Sequence, residues 1–478
     1  MYNISDFYHV LPFELTEGQK RANELVASGN HCLIIGDAGS GKSTVMEIWK
    51  SFFGKRAIFC GSTGISNQRL FNYKGGNGTA HKVFSLPLGI AKPKDWKEVS
   101  RYTNEILAKS DQIEYIVVEE VSMLNSENIA MMFKRIDRFN KKTKKRRARD
   151  IKLILVGDLL QLPCVVDTRL KGYLEENYGS HLFFKSWEFE KRDVKVTFLG
   201  QVMRQNDRIF KAALNVLRYG QEERYERVLQ WFNKRSGLPL PKNAPLISAT
   251  NRVVNQANQQ ALHQNPNESF CYEAEFKDNY DRNACPVDVD LYLKQDLKVM
   301  TLINHPEGFY QNGSMGYVVS CCADGAYVQF DHSGETHLVE PFIFEERELY
   351  VAGSYIDEQG IARDILDERV AGSFEQLPLK QASAITIHKA QGQTIDSEFI
   401  LDLGWDKMYT DPYYGDFGTA LPYVGWSRST KIENVFLKGK MTKDHIKVCF
   451  DTIEWLISKG AVPESEIPNR FKKENKLC

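Results

Sequence analysis

The chain has 478 residues, 42% of them hydrophobic, with 62 Lys and Arg balanced by 62 Asp and Glu. That length supports large cores and more than one domain, and the formal charge of zero excludes a uniformly basic or acidic protein, so any nucleic-acid surface must be local. The nine cysteines include one adjacent pair, Cys321-Cys322, but no Cys-x-x-Cys and no Cys/His cluster at zinc spacing; with neither a signal-type apolar segment nor a run of transmembrane length, the expectation is a soluble cytoplasmic protein with reduced thiols.

In chain order, the apolar run Cys32-Leu33-Ile34-Ile35 reads as a buried strand that enters Gly36-Asp37-Ala38-Gly39-Ser40-Gly41-Lys42-Ser43-Thr44. A strand leading through a glycine-rich turn into a helix makes a nest of backbone N–H groups for phosphates. Lys42 would reach the β- and γ-phosphates of ATP, and the Ser43 hydroxyl would hold Mg2+. Ala57–Cys60 reads as the next strand, and Leu86-Pro87-Leu88-Gly89-Ile90-Ala91-Lys92-Pro93 as a small protrusion that interrupts the alternation. Tyr115–Val118 then delivers Glu119-Glu120 to a strand end, one acid suited to holding Mg2+ through water and the other to polarising the attacking water. Lys134, Arg135, Arg138, Lys141, Lys142, Lys144, Lys145, Arg146, Arg147 and Arg149 form a basic run, read either as a solvated face or as a clamp on duplex phosphates. Leu153–Val156 leads to Gly157-Asp158 and on to Gln161, placed to report the state of a γ-phosphate.

A second α/β pattern begins near Leu199 and includes Arg204; from about 290 to 375 it gives way to short strands and turn signals such as Asn312-Gly313 and Ser333-Gly334, which suggest a small antiparallel barrel. The α/β pattern resumes at Ala384-Ile385-Thr386-Ile387, passes Arg428, and runs to about 457 before a polar tail. Arginines supplied from a second module stabilise charge on a transferring phosphoryl group, which is the chemistry read for Arg204 and Arg428.

The order of these segments resembles superfamily 1 helicases of the 5′-to-3′ branch, the Pif1, RecD and Dda type. Leu15-Thr16-Glu17-Gly18-Gln19 resembles the adenine-reading Q motif, and Gly36–Thr44 motif I. Gly61-Ser62-Thr63-Gly64 resembles motif Ia, and Thr79-Ala80-His81-Lys82-Val83-Phe84 lies in a motif Ib pattern. Glu119-Glu120 resembles motif II, Gly157–Pro163 motif III, Arg204-Gln205 motif IV and Ala249-Thr250-Asn251 the segment after it. Ile385–Thr394 resembles motif V and Tyr423–Arg428 motif VI.

The resemblance implies two RecA-like P-loop domains with parallel sheets, an inserted 1B protrusion and an inserted SH3-like 2B barrel. The expected partition is 1–200 with the protrusion at about 82–110, 201–289, the barrel at 290–375, 376–457, and a tail at 458–478. It implies an ATP-dependent motor on single-stranded DNA, acting at single/double-strand junctions as a monomer in a bacterial or phage-infected cell. Lys42, Glu120, Gln161, Arg204 and Arg428 would be catalytic; Gln19, Gly36, Asp37, Ala38, Gly39, Ser40, Gly41, Ser43, Thr44 and Gly392 would hold nucleotide. Ser43 and Glu119 would hold Mg2+, and Thr63, His81, Asn251 and His388 would touch DNA, with Phe84 or Leu88 as a duplex-splitting wedge. Three departures stand out: Glu119 where the family has Asp, Cys164 in place of a second proline, and Gly425-Trp426 before Ser427-Arg428. Two alternatives remain open, a translocase that strips proteins without separating strands and a DNA-binding scaffold with impaired hydrolysis.

Overall fold

The computed structural model describes residues 4, 11, 13–63, 66, 78–87, 89–109, 113–143, 150–164, 166–200, 207–241, 244–278, 282, 285–310, 312–331, 333–356, 362–391, 395, 398–411 and 416–472. Leu88, Lys144, Lys145, Arg146, Arg147, Arg149, Arg204 and Gly392 lie outside the described residues.

Five strands build a parallel sheet: β1 (Cys32–Ile35), β2 (Ala57–Gly61), β3 (Tyr115–Glu119), β4 (Lys152–Gly157) and β5 (Lys195–Phe198), in the order β2-β3-β4-β1-β5. Strands β1 and β3 are buried along their whole length, which explains why they are continuous apolar runs rather than alternating ones. The register pairs Ile35 with Gly157, Glu119 with Val156 and Gly61 with Glu119, so the segments after β1, β2, β3 and β4 all leave at one edge. Around this sheet lie α1 (Glu17–Ala27), α2 (Lys42–Phe53), α3 (Ala80–Phe84), α4 (Pro93–Lys97), α5 (Arg101–Lys109), α6 (Ser126–Thr143) and α7 (Thr168–Tyr178). Helix α1 starts in a full capping box, in which Gln19 N–H donates to Thr16 Oγ1 and Thr16 N–H to Gln19 Oε1.

The second parallel sheet has β6 (Leu246–Ser248), β17 (Ala384–Thr386), β18 (Phe399–Asp402) and β19 (Val435–Lys438), in the order β17-β6-β18-β19. It packs with α8 (Arg208–Tyr219), α9 (Tyr225–Phe232), α10 (Asn251–Gln264), α11 (Ile387–Ala390) and α12 (Leu421–Trp426) around Phe210, Leu217, Phe232 and Trp426. Two three-layer α/β units therefore match the fold class read from the alternating pattern.

Between β6 and β17 the chain forms the antiparallel insert. Strands β10 (Lys298–Thr301), β11 (Met315–Cys322), β12 (Gly325–Phe330), β13 (Thr336–Val339) and β16 (Leu379–Gln381) form one sheet. A ribbon of β7 (Ser269–Glu273) and β9 (Asp290–Lys294) adds Leu291 and Leu293 to the same core. The turn signals did not announce a separate arm: β14 (Phe342–Ile356) and β15 (Ala362–Gln376), each 15 residues long, pair along their length and join β8 (Glu275–Asp278) in their own sheet.

Helix α13 (Phe450–Ser458) returns to the first unit, burying Ile453 and Leu456 in its core and setting Trp455 against Phe184 at 4.8 Å. Strand–helix alternation along the sequence carries no sign of this crossing. Phe84 is fully buried in that same core. The wedge role expected for it is therefore corrected: a ring that fills a core has no face to offer a base pair.

Candidate nucleotide site and nucleic-acid interface

The loop between β1 and α2 has the backbone its sequence demands. Gly39 and Gly41 adopt φ of 79° and 84°, left-handed values that cost other residues strain. A Cβ on Gly41 would collide with Gln19 Nε2, and one on Gly36 with Ser40 Oγ, so both glycines permit close approach. Lys42 Nζ donates to the carbonyls of Gly36 (2.9 Å) and Asp37 (3.0 Å), folding back over the loop. Burial lowers its pKa, against the pull of Asp158 and Glu120. Ser40 Oγ is buried and has no hydrogen-bond partner among the described residues, while Ser43 is exposed at the start of α2. An orphaned hydroxyl, a backbone nest and a half-buried ammonium suit a polyphosphate.

The acid pair sits across the sheet edge. Glu119 ends β3, and Glu120 follows with φ 55° and ψ 45°, a left-handed conformation worth about 1–3 kcal/mol of strain for a non-glycine residue. Its backbone is held there by Ser62 Oγ, which donates to Glu120 O at 2.8 Å, and by Met123 N–H at 3.2 Å. Ser62 N–H also donates to Glu119 O at 2.9 Å. Gln161 is buried just beyond β4, and its Oε1 has no hydrogen-bond partner among the described residues. An unpaired buried acceptor is costly unless a donor meets it, which fits a residue waiting for a water.

A buried network that motif reading missed joins this edge to the second unit. Arg218, from α8, places Nη2 2.8 Å from Asp37 Oδ1 in the phosphate loop and donates from Nη1 to Asp158 Oδ2 at 2.5 Å. Tyr423, from α12, accepts from Ala38 N–H at 3.3 Å and from Arg218 Nη1 at 2.9 Å, and donates to Asp158 Oδ2 at 3.3 Å. All five residues are buried. Burial alone would raise Asp158, but the Arg218 charge and hydrogen bond hold it below the usual carboxylate range. Burial, only partly offset by Arg218, holds Asp37 above that range. The legible signal was Arg218 itself, a charged residue on the face of α8 that carries Phe210, Leu214 and Leu217.

A family model described as an AAA domain matches residues 14–240. The ATP-dependent DNA helicase Pif1 of Bdellovibrio bacteriovorus is 25% identical over 408 residues, covering 82% of this chain and 83% of its own. The Pif1 helicase of Campylobacter jejuni is also 25% identical, covering 78% and 83%. In fold, the chain is similar to a Pif1 helicase from Bacteroides solved with ADP-AlF3 and single-stranded DNA, at TM-score 0.76 and 24% identity over 95% of this chain and 99% of that one. Over most of its length the chain is similar to Pif1 helicases.

The segment that resembles motif VI reaches the phosphate loop through Tyr423. Arg428 is buried and donates from Nε to Val424 O (2.8 Å), from Nη1 to Ala390 O (3.3 Å) and from Nη2 to Ser427 Oγ (2.9 Å), which ties motif VI to α11 of motif V. None of these three acceptors belongs to the phosphate loop. The Cys164 thiol, which stands where the resembled pattern has a second proline, is pushed up to about 11 by burial and is therefore protonated and inert at neutral pH.

Three of the four expected DNA contacts, Thr63, Asn251 and His388, lie just after strand ends. Thr63 follows β2 and is hydrogen-bonded with Ser66 at 3.2 Å; His81 opens α3. Asn251 is exposed at the start of α10, and His388 sits in α11 just after β17, the neighbour of β6. Burial lowers the pKa of both His81 and His388, so both rings are neutral at pH 7. His388 stacks on the exposed ring of Phe417 at 5.5 Å. A neutral ring can offer a hydrogen bond or a stacking face but no charge.

The clamp reading of the basic run is corrected for its first part. Arg135 is buried and donates to Asp95 O at 2.6 Å, Arg138 donates to Lys97 O, and Lys134 lies 4.7 Å over the Trp96 ring. The two arginines are taken up by α4 because its terminal carbonyls lack intrahelical partners, and Lys134 by the face of Trp96. Lys141 and Lys142 are exposed.

Proposed function

We propose that this chain is an ATP-dependent 5′-to-3′ DNA helicase that translocates on single-stranded DNA and unwinds duplex at junctions, one copy serving as the motor. The observation that carries this reading is the closure of the phosphate loop by the second unit through Arg218 and Tyr423. A site completed from two units is completed only when they approach, so nucleotide binding and release are coupled to their spacing. Lys42 and the loop amides hold the phosphates, Gln19 the adenine, Glu120 orients and deprotonates the attacking water, and Gln161 reports the γ-phosphate. Ser43 and Glu119 offer the hard oxygen ligands that suit Mg2+, which supplies charge neutralisation when bound. Arg204 and Arg428 are proposed to stabilise the transferring phosphoryl group, and Gly392 to line the nucleotide. Thr63, His81, Asn251 and His388 are proposed to follow the strand. The partition read from the sequence, including the SH3-like barrel, is proposed for the domains, with 269–278 added to the insert and 450–458 to the first unit.

Unwinding of 5′-tailed against 3′-tailed duplexes, with ATP turnover measured alongside and Lys42→Ala as control, tests the proposal. The expected result is DNA-stimulated turnover and strand separation on 5′ tails only, both abolished by the control substitution. Unwinding confined to 3′ tails would overturn the polarity. Turnover with no separation on either tail would leave a strand-stripping translocase, and absent turnover a scaffold.

Lys389 supplies a pH test of the motif V grip. Burial, with Lys380 nearby, lowers its pKa from 10.5 to about 8. Contact with a phosphate would restore the higher value, so binding takes up a proton and weakens as pH rises through 8. DNA affinity is expected to fall about tenfold between pH 7 and 9 in a titration at constant salt, and Lys389→Arg to flatten the curve. Equal slopes for the two proteins would remove Lys389 from the interface.

A further inference from the structure

The 86–97 protrusion is joined to the first unit through one stripe of α6. Glu127 is fully buried near the start of that helix; its Oε2 accepts Ala91 N–H at 2.8 Å, and its Oε1 accepts the hydroxyls of Tyr173 and Tyr178, each at 2.9 Å. Farther along, Lys134 covers the Trp96 ring, Arg135 donates to Asp95 O, and Arg138 donates to Lys97 O. Positions 127, 134, 135 and 138 recur at helical spacing and share one face. The opposite flank is braced by Arg192, which donates from Nη1 to Asp137 Oδ1 at 2.8 Å.

The helix also starts at the acid pair. Val121–Met123 forms a single 3-10 turn directly after Glu120. Asn125 and Asn128 then exchange backbone-to-side-chain hydrogen bonds of 3.2 and 2.9 Å, fixing the entry to α6. A carboxylate buried without a cation is expensive unless every lone pair is met. Here three donors meet it, and the positive end of the helix dipole lies beside it. Such an arrangement ties three segments together, because the protrusion supplies one donor and α7 the other two to a single side chain of α6.

We propose that this face of α6 is a socket holding the protrusion, and that α6 is the strut carrying nucleotide-driven movement from Glu119-Glu120 to the point of strand separation. Glu127 is its positioning residue, touching neither nucleotide nor DNA. This inference rests on the helicase reading for its mechanical role, but the socket itself can be tested without it.

Two variants suffice. Glu127→Met keeps the approximate volume but removes the acceptor of all three donors. Lys134→Met with Arg138→Met loosens the outer end from exposed positions that do not threaten the core. Amide hydrogen exchange within 86–97 is expected to speed up by about tenfold in both, with exchange in β1 and β3 unchanged. Unwinding of a 5′-tailed duplex is expected to fall by about tenfold or more, while single-strand-stimulated ATP turnover and release of streptavidin from a biotinylated single strand stay within about twofold. Unchanged exchange overturns the socket. Faster exchange with unwinding and turnover falling together overturns the strut. A wild-type protein that turns over ATP without unwinding overturns the helicase reading and the strut, and leaves the exchange arm to judge the socket alone.

Discussion

Replacing Arg218 by methionine is expected to destabilise the protein by about 3–5 kcal/mol, the cost of leaving buried charge uncompensated. Methionine fills the volume, so the loss would come from charge rather than from a cavity. Both Asp37 and Asp158 depend on this one guanidinium, and each is buried. In the native protein Asp158 is held below its ordinary pKa, so its contribution to stability is present at neutral pH and is lost as pH falls through the folded value. Without Arg218 the burial that already opposes it would dominate, the folded pKa would rise above the unfolded one, and the sign would reverse. Acidification from pH 7 towards 5 should then narrow the gap in thermal midpoint between variant and wild type. A double variant with Asp158→Asn should lose less than the sum of the singles by about 0.5–3 kcal/mol. Midpoints that agree within a degree across this range would show that the network contributes little.

The Glu120→Gln substitution is expected to lower DNA-stimulated ATP turnover by about 10²–10⁴-fold while nucleotide and DNA affinity persist. The side chain is nearly isosteric, and the left-handed backbone at 120 is held by Ser62 and Met123 rather than by the carboxylate. The charge, however, is what orients and deprotonates water, and an amide cannot take a proton there. Glu119→Gln should instead weaken turnover in a way that added Mg2+ partly restores. That contrast tests the division of labour between the two acids. Turnover of Glu120→Gln within about threefold of wild type would transfer the base role elsewhere.

The parts of this protein legible from its sequence are those whose physics is local. A continuous apolar run followed by Gly-rich chain is a strand, a turn and a helix start whatever surrounds it, and Gly39 and Gly41 take the positive φ their type permits. Glu119, Glu120 and Gln161 were found because they sit within a few residues of buried strand ends. The misreadings came where local pattern is silent about direction. Phe84 is an aromatic next to a protrusion, but α3 turns it into the core. Lys134, Arg135 and Arg138 form a charge run in sequence, yet helical spacing aims the two arginines at α4 carbonyls and Lys134 at the Trp96 ring.

By itself, then, the sequence determined the two α/β units, the phosphate cradle and the chemistry of its edge, since each depends on residue types at short fixed spacing. Only the tertiary structure decided which distant groups meet there. Arg218 reaches Asp37 and Asp158, Tyr423 reaches Ala38, and Glu127 reaches Ala91. Those pairings arise because a buried charge or donor must be met by a partner wherever the fold brings one, and no local periodicity records which partner that is.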